Sequence, residues 1–438
     1  MTIKKIIQNY PIVDVTSNLQ DANDTTAAFY YIHKGAEDKF LSRLKTSRPC
    51  YLFLNTDLGD IGVPYTVCEN FYESQEEVCD LLYDKSDRVK IIGITGTNGK
   101  STCVHLCSSL LNANGAKAFS VGTLGVFSEE KEIFPSPGAT TPSYLDLRRI
   151  THHLSDYDYM CLEVSSHALK QERIKGFEID VCGWTNLTQD HLDYHGSMSG
   201  YFEAKLMLVK LSQKTFIPVS QTTLIEKVKE KELEVEYSKP RQFDLINPAF
   251  KLAYNHENLC LSYDIVKSLL KNDLKVPKDL TLPRGRYTLF EYNSHMFVVD
   301  YAHTPDAIEK LTKETKQVLE DYHVITIFGC GGDRDRSKRP LMLDAALKFS
   351  DKVIVTSDNP RTEDPQSIVS DALNGRAFSN VETIVNRKEA IERSVKDYEN
   401  KTIVLIAGKG HEEYQEVNGV KNFFSDIELI RECLESIK

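Results

Sequence analysis

A glycine-rich segment at residues 93–102, GITGTNGKST, follows a short apolar run and precedes a stretch with helical spacing. Glycines at a strand-to-helix turn let backbone N–H groups approach phosphate oxygens, a lysine adds positive charge, and a serine hydroxyl can bind Mg²⁺. The strict spacing G-x-x-x-x-G-K-[ST] fails because Ile94 occupies its first glycine position. We therefore predict a nucleotide-phosphate site with a variant loop, the alternative being a tight turn with an exposed lysine.

Two further segments concentrate polar side chains after apolar runs. In CLEVSSHALKQERIKG (161–176), Glu163 ends an apolar run, where a carboxylate can reach Mg²⁺ bound to phosphates. In TNLTQDHLDYHGSMSGYFEAKLML (185–208), acidic and imidazole groups crowd into six residues, a density with metal-binding or acid-base potential. Taken singly, these residues also have surface or capping explanations.

Four polar loops follow apolar runs in the last third of the chain: VVDYAHTPDAI (298–308), FGCGGDRDRSKRPLM (328–342), SDNPRTEDP (357–365) and AGKGHEEYQ (407–415). Loops at one edge of a parallel sheet form a binding cleft. We expect this cleft to be positive and to suit a ligand with carboxylates or phosphates, because the loops carry five cations. The alternative for each cation is a surface ion pair; the five are Arg334, Arg336, Lys338, Arg339 and Arg361.

The elements that must position these loops are short apolar runs alternating with helical segments. This alternation predicts parallel β-α-β units and an α/β fold. The charged stretch YDKSDR at 83–88 and the stretch LPRGRY at 282–287 mark boundaries. We therefore predict three domains, at residues 1–88, 89–284 and 285–438.

Composition excludes several classes of function. The 438 residues carry a formal net charge of −11, which argues against a general nucleic-acid or anionic-membrane surface. No apolar run approaches the roughly 20 residues needed to span a bilayer, and the start MTIKKIIQNYPIVDV lacks a signal-peptide core, so we expect a cytoplasmic protein without membrane insertion. The ten cysteines include no C-x-x-C pair and are expected to be reduced.

In combination, these motifs resemble the Mur ligases of peptidoglycan synthesis, which are ATP-dependent amide-forming enzymes. GITGTNGKST, EVSSHAL, TNLTQDHLDYHGSM and FEAK occur in the order found in that family. The resemblance implies an N-terminal UDP-binding domain, a central P-loop-like ATPase domain and a C-terminal Rossmann-like domain that binds an amino acid. It also implies cytoplasmic peptidoglycan precursor synthesis by a monomer.

The resemblance assigns the nucleotide and metal site residue by residue. It implies ATP contacts from Thr97, Asn98, Gly99, Lys100, Ser101, Thr102, Asn258, Arg286, Asp300 and His303. Two Mg²⁺ ions would be held by Ser101, Glu163, His191 and a carbamylated Lys205, and the catalytic residues would be Lys100, Glu163, His191 and Lys205. Carbamylation converts the lysine cation into an anion that can support a metal ion.

The resemblance also implies the other two substrates. UDP-MurNAc-L-Ala-D-Glu would contact Ser17, Thr140, Thr141, Ser165, Gln171 and Arg173. The first domain of the family usually carries Asp-Ser-Arg near its start, whereas DVTSNLQDAN in this chain keeps only Ser17. Meso-diaminopimelate would contact Arg334, Asp358, Asn359, Pro360, Arg361, Gly408 and Glu412.

The DNPR loop favours diaminopimelate as the amino acid added. Arg361 offers a two-pronged donor for a distal carboxylate, whereas it would repel the ammonium of lysine. Three alternatives are the same ligase adding L-lysine, an amide ligase of the folylpolyglutamate synthase type, and a catalytically silent relative that serves as a scaffold. The presence of Lys100, Glu163, His191 and Lys205 argues against the scaffold.

Overall fold

Three α/β units follow one another along the chain, each built on its own sheet. The computed structural model describes residues 2–83, 89–396 and 401–436. The predicted boundary at residue 88 and most of YDKSDR lie outside these residues. No helix in the described ranges is long and apolar enough to cross a membrane.

The first unit is a four-stranded parallel sheet in the order β1-β2-β3-β4. On β1, Asp14 accepts hydrogen bonds from the Tyr83 hydroxyl at 2.5 Å and from Arg149 Nε at 2.8 Å, which fastens this sheet to the second unit. Its elements are β1 (Asp14–Thr16), β2 (Thr26–Tyr30), β3 (Leu52–Leu54), β4 (Tyr65–Val67), α1 (Ile3–Asn9), α2 (Glu37–Leu44) and α3 (Phe71–Leu82).

The second unit is an eight-stranded sheet in the order β12-β11-β10-β5-β9-β6-β7-β8. Its strands are β5 (Lys90–Thr95), β6 (Ala118–Gly122), β7 (Gly125–Ser128), β8 (Lys131–Phe134), β9 (Tyr159–Glu163), β10 (Ile179–Trp184), β11 (Ser212–Pro218) and β12 (Glu236–Ser238). Its helices are α4 (Lys100–Ala113), α5 (Tyr144–His153), α6 (Ser166–Lys170), α7 (Leu192–His195), α8 (Met198–Leu211), α9 (Thr222–Lys229) and α10 (Ala253–Leu270).

The register of this sheet decides which loops meet. Strand β5 pairs in parallel with both β9 and β10, with Ile94 opposite Glu163 and Thr95 opposite Trp184. The carboxyl ends of the three strands therefore lie side by side, which brings the loops after them together. Helix α4 packs between this sheet and α10, and its apolar side chains lie in the core that the three share.

The third unit is a six-stranded sheet in the order β13-β14-β18-β15-β16-β17, in which only β13 runs antiparallel. Its strands are β13 (Thr288–Tyr292), β14 (His295–Asp300), β15 (His323–Cys330), β16 (Lys352–Ser357), β17 (Val381–Thr383) and β18 (Thr402–Ala407), and a separate hairpin contains β19 (Tyr414–Val417) and β20 (Val420–Phe423). Its helices are α11 (Pro305–Val318), α12 (Lys338–Leu347), α13 (Pro365–Leu373), α14 (Arg387–Lys396) and α15 (Asp426–Ser436).

The predicted α/β fold is confirmed, including the parallel strands in both large sheets. The four apolar runs predicted in the last third are β14, β15, β16 and β18, which are neighbours in one sheet. Apolar side chains pack on both faces of this sheet, as expected for parallel strands covered by helices. All ten cysteines are unpaired, and nine of them are buried.

Candidate functional site

A cleft of about 480 Å³ lies between the second and third units, at the carboxyl ends of their parallel strands. Residues from both units line it, so neither unit forms the site alone. The predicted site residues that line the cleft are Thr97, Asn98, Gly99, Lys100, Ser101, Thr102, Thr140, Glu163, His191, Asn258, Arg286, Asp300, His303, Arg334, Asp358, Asn359, Arg361, Gly408 and Glu412.

The glycine-rich loop connects β5 directly to α4. Gly96 and Gly99 adopt φ values of +145° and +86°, a backbone region that favours glycine. A Cβ on Gly99 would lie 2.6 Å from Asn258 Oδ1, so close packing against α10 also requires glycine there. Lys100 folds back over the loop and donates to the carbonyl oxygens of Gly96 and Thr97 at 3.0 and 2.8 Å. The loop therefore presents a helix N-terminus and an ammonium group to the cleft.

Glu163 is a buried carboxylate beside this loop. Its side chain accepts hydrogen bonds from the backbone N–H and hydroxyl of Thr123 at 3.0 and 3.4 Å. Burial raises the pKa of Glu163, while the charge of Lys100 and a hydrogen bond from Ser101 oppose that shift. A cation bound at this carboxylate would offset the cost of burying its charge.

No group of three His, Cys, Asp or Glu side chains in the described part of the chain is arranged to hold a metal ion. A metal at Glu163 would therefore need oxygen atoms from other sources, such as the Ser101 hydroxyl, a phosphate or a carbamate. Ser101 Oγ at present accepts a hydrogen bond from Arg286 Nη2 at 3.1 Å. The carboxylate and hydroxyl oxygens fit a hard cation such as Mg²⁺.

His191 occupies a left-handed backbone position, with φ of +52°, immediately before α7. Its Nε2 lies 3.3 Å from Asp190 Oδ2, and Asp190 Oδ1 accepts a hydrogen bond from Lys338 Nζ at 2.6 Å. Burial lowers the pKa of His191 to about 4, so its imidazole is neutral at pH 7 and has the form required of a metal ligand. The Lys338–Asp190 ion pair also connects the third unit to the second across the cleft.

Lys205, on α8, is buried beneath the glycine-rich loop and is not among the residues that line the cleft. Its Nζ donates to the Gly96 carbonyl oxygen at 2.7 Å and lies 4.6 Å from the centre of the Tyr201 ring. Burial lowers the pKa of Lys205 well below its ordinary value, and the nearby Lys100 cation acts in the same direction. A neutral amine is therefore accessible at this position.

The residues predicted to contact the nucleotide meet at the other end of the glycine-rich loop. Arg286 stacks over the Tyr301 ring at 4.3 Å while its Nη2 reaches Ser101. Asp300, at the end of β14, accepts hydrogen bonds from the backbone N–H groups of Tyr287 and Ala302, both at 2.8 Å. These contacts fix a guanidinium and a carboxylate at the cleft wall opposite α4.

The residues predicted to contact the muramoyl dipeptide are only partly in the cleft. Thr140 lines the cleft, whereas Thr141 does not. Thr141 Oγ1 instead donates to the backbone carbonyl oxygen of Glu163 at 2.8 Å. Arg173 donates to the Thr141 carbonyl oxygen at 2.7 Å and to the Gln171 side chain, and Thr141 Oγ1 lies 3.3 Å from Ser165 Oγ. These groups therefore form one connected patch that extends from the cleft.

Ser17 is separate from the cleft-lining residues. Its hydroxyl donates to Asp146 Oδ2 at 2.5 Å, and its backbone N–H donates to Asp146 Oδ1 at 3.2 Å. Asp146 lies on α5, so Ser17 contributes to the contact between the first and second units.

The residues predicted to bind the amino acid come from three loops: Arg334 follows β15, and the others follow β16 and β18. Asn359 Nδ2 donates to Glu412 Oε2 at 2.8 Å, which joins the latter two loops. Arg361 Nη1 donates to the Gly332 carbonyl oxygen at 2.5 Å, whereas Arg334 has no hydrogen bond or ion pair within the described ranges. Pro360 is buried and does not line the cleft.

Four of the five cations predicted to make the cleft positive form ion pairs, including Lys338 with Asp190 and Arg361 with Glu416. The Arg336 guanidinium pairs with Asp371 on the outer side of α13, and Arg339 is buried between Glu363 and Asp371. The ion-pair alternative is therefore correct for four of the five, although Lys338, Arg339 and Arg361 still line the cleft. The sequence left the alternative open because the acidic partners Glu363 and Asp371 lie more than 20 residues along the chain from Arg339 and Arg336.

Several residues of the cleft region were not among the predicted site residues, and three of them contact predicted ones. Thr123 binds Glu163, Asp306 accepts a hydrogen bond from Asn98 Nδ2 at 3.1 Å, and the fully buried Lys409 binds Asn359 and Glu412. Asp306 and Lys409 stand within the polar loops already singled out, so position after a strand was an available signal. For Thr123, the only sequence signal was its position in the turn between β6 and β7.

Comparison with known proteins shows the family. The Mur ligase middle domain matches residues 94–270, and the Mur ligase, glutamate ligase domain matches residues 285–410. A UDP-N-acetylmuramoyl-L-alanyl-D-glutamate–2,6-diaminopimelate ligase from Clostridium acetobutylicum is 34% identical over 81% of this chain and 80% of its own length. The corresponding ligase from Clostridioides difficile is 30% identical over 100% of both chains.

A solved structure of a UDP-N-acetylmuramoyl-L-alanyl-D-glutamate–2,6-diaminopimelate ligase is similar along nearly the whole chain. It is 28% identical and covers 97% of this chain and 95% of its own, with a TM-score of 0.55. The similarity in sequence thus extends across the two units that form the cleft and includes the first unit. The chain belongs to the Mur ligase family.

Proposed function

We propose that this protein is an ATP-dependent amide ligase that adds meso-diaminopimelate to the D-glutamyl carboxylate of UDP-MurNAc-L-Ala-D-Glu during peptidoglycan precursor synthesis. One observation carries the proposal: a phosphate loop with Lys100 and Glu163 and an arginine-bearing loop with Arg361 line the same cleft from opposite units. An acyl group activated at the first loop would thus lie within the cavity that receives the amine. The names of the relatives supply the substrates.

The reaction has two steps. A carboxylate oxygen of the D-glutamyl residue attacks the γ-phosphorus of ATP, and ADP leaves. The amine of the amino acid then attacks the acyl carbon, phosphate leaves, and the nitrogen loses a proton. The protein's contribution is positioning and charge: the N–H groups of 97–102 would cradle the phosphates, and Lys100 would balance charge on the transferring phosphoryl group.

Mg²⁺ is implied by this chemistry, and the donor set fits it. Ser101 and Glu163 supply a hydroxyl and a buried carboxylate, and His191 supplies a neutral imidazole. We propose that these residues and a carbamylated Lys205 hold two ions. When bound, the ions would neutralise negative charge on the phosphates and the transferring group.

Carbamylation of Lys205 is supported by the environment of its amine. CO₂ reacts with a neutral amine, and burial beneath Gly96 favours the neutral form of Lys205. The product carries a negative charge, which the neighbouring Lys100 would stabilise.

The remaining substrate contacts are proposals that follow the same geometry. Arg286, Asp300, His303 and Asn258 line the cleft, and we assign them to the nucleotide. For the muramoyl dipeptide, Thr140 lies in the cleft and the patch behind it provides the other contacts, namely Thr141, Ser165, Gln171 and Arg173. Ser17 remains a proposed contact for the uridine end, although its hydroxyl is engaged with Asp146.

The amino-acid end of the cleft combines cations with anions. Arg334 and Arg361 could bind one carboxylate, while Asp358 and Glu412 could bind an ammonium group. Asn359, Pro360 and Gly408 would shape the loops after β16 and β18, which carry all of these charges except Arg334. This mixture suits the distal amino-acid centre of diaminopimelate better than the lone ammonium of lysine.

We also propose the domain limits 1–88, 89–284 and 285–438, a monomeric state and a cytoplasmic location. Each large sheet falls within one proposed domain, and the nucleotide-linked substrate is consistent with the location. Light scattering coupled to size-exclusion chromatography would test the monomer, since a dimer would elute at about twice the chain mass of 49.8 kDa.

Phosphate release from ATP tests the proposed function. We expect turnover with UDP-MurNAc-L-Ala-D-Glu plus meso-diaminopimelate and much less with L-lysine or without an amine. Turnover with lysine alone would contradict the amino-acid assignment. Phosphate release that requires a folate and glutamate instead would contradict the acceptor.

A further inference from the structure

Lys409 is a fully buried lysine in the turn that follows β18, and nothing above gives it a part in the reaction. Its side chain is 0% exposed. Its Nζ donates to Asn359 Oδ1 at 3.2 Å and to Glu412 Oε2 at 3.1 Å, and it lies 5.5 Å from the centre of the Tyr414 ring. A buried ammonium is costly unless such partners surround it, so its position is coupled to theirs.

The two partners of Lys409 are also bonded to each other. Asn359 Nδ2 donates to Glu412 Oε2 at 2.8 Å, and Asn359 Oδ1 also accepts from the Glu416 N–H at 2.9 Å. The Asn359 amide can satisfy both its donor and its acceptor contacts in only one orientation. Lys409 therefore closes a three-membered network that joins the loops after β16 and β18.

This network leaves one oxygen of Glu412 available. Glu412 lines the cleft, and its Oε1 has no hydrogen-bond partner within the described ranges, whereas Oε2 is held by both Lys409 and Asn359. With one oxygen held by Lys409 and Asn359, the carboxylate keeps its orientation. It can then receive an ammonium group that enters the cleft.

We propose that Lys409 is a positioning residue for the incoming amino acid, acting through Glu412 and Asn359 rather than by touching the substrate. This inference rests on the proposed function, because it concerns the amine subsite of that reaction. The network lies on the third unit, away from the phosphate loop on β5 and α4. Its loss should therefore affect the amino acid far more than ATP.

The principal test replaces Lys409 by methionine, which keeps the length of the side chain and removes its charge. We expect the KM for meso-diaminopimelate to rise about 10- to 100-fold, as for loss of a charge-assisted contact, with the KM values for ATP and UDP-MurNAc-L-Ala-D-Glu within about twofold. Lys316→Met is the matched control. Lys316 pairs with Asp351, which directly precedes β16 and so lies at the end of the strands opposite the cleft. Its replacement should therefore change none of the KM values.

A double variant keeps the test valid if Lys409→Met does not fold. Lys409→Met/Glu412→Gln removes both charges and so leaves no unpaired carboxylate. If Lys409 acts through Glu412, the double variant has the same KM for diaminopimelate as Glu412→Gln alone. A markedly higher value, or equal changes in the KM for ATP, would overturn the positioning role.

Assays of the wild-type protein distinguish failure of the role of Lys409 from failure of the proposed function. Turnover of diaminopimelate by wild type with an unchanged KM in Lys409→Met refutes the positioning role and leaves the proposed function intact. Absence of turnover by wild type with this amine refutes the proposed function, and the role of Lys409 falls with it.

Discussion

Replacement of Arg361 by alanine should weaken the binding of diaminopimelate selectively. The Arg361 side chain donates Nη1 to the Gly332 carbonyl oxygen, and its Nε lies 3.7 Å from Glu416, so Nη2 remains for a substrate carboxylate. The loop itself is held by backbone bonds, from Arg361 N–H to the Glu416 oxygen at 3.0 Å and from Asn418 N–H to the Arg361 oxygen at 2.7 Å. Alanine therefore removes the guanidinium while the loop keeps its anchors.

The size of the effect follows from the bond that is lost. A hydrogen bond to a charged group contributes about 1.5–3 kcal/mol, and about 1.4 kcal/mol corresponds to a tenfold change. We therefore expect the KM for diaminopimelate to rise roughly 10- to 150-fold. The KM for ATP should stay within about twofold, because the glycine-rich loop belongs to the second unit.

Initial rates of phosphate release, with each substrate varied in turn, measure this change. Arg336→Ala is the matched control, since Arg336 is an exposed arginine that pairs with Asp371 and does not line the cleft. Equal increases in the KM for ATP and for diaminopimelate, or no increase in the latter, would refute the role assigned to Arg361.

Four further predictions follow from particular contacts. Gly99→Ala should raise the KM for ATP, because its Cβ would approach an amide oxygen of α10 and φ is +86°; an unchanged KM would mean that the loop tolerates a side chain. Arg387→Met should destabilise the protein by about 3–5 kcal/mol in urea unfolding, because it strands the buried Asp426, and adding Asp426→Leu should restore much of that loss. Burial lowers the pKa of His411 to about 3, so the folded state binds fewer protons than the unfolded state between about pH 6.5 and pH 3. The melting temperature should therefore fall as the pH is lowered through this range. The fall should be less steep in His411→Asn. With ¹³C-labelled CO₂, the wild type should show a carbamate NMR signal that Lys205→Ala lacks, growing as pH rises and more amine is neutral; a signal retained in the variant would locate the carbamate elsewhere.

The sequence by itself determined the α/β class and the order of the chemical motifs. Both are local in origin: apolar runs of strand length alternate with helical spacing, and each motif stands where a strand ends. The glycine-rich loop is the clearest example, because Gly96 and Gly99 adopt positive φ values that favour glycine. The family resemblance rested on the same local segments.

Only the tertiary structure decided which charged groups are paired. Arg336 and Arg339 are near Arg334 in sequence, yet Arg336 pairs with Asp371 and Arg339 with both Glu363 and Asp371, whereas Arg334 stays unpaired among the described residues. In the same way, Lys409 reads as an ordinary loop lysine until β16 and β18 place Asn359 beside it. The energy of a charge depends on its burial and on partners that are distant in sequence, so the fold rather than the residue type settles its role.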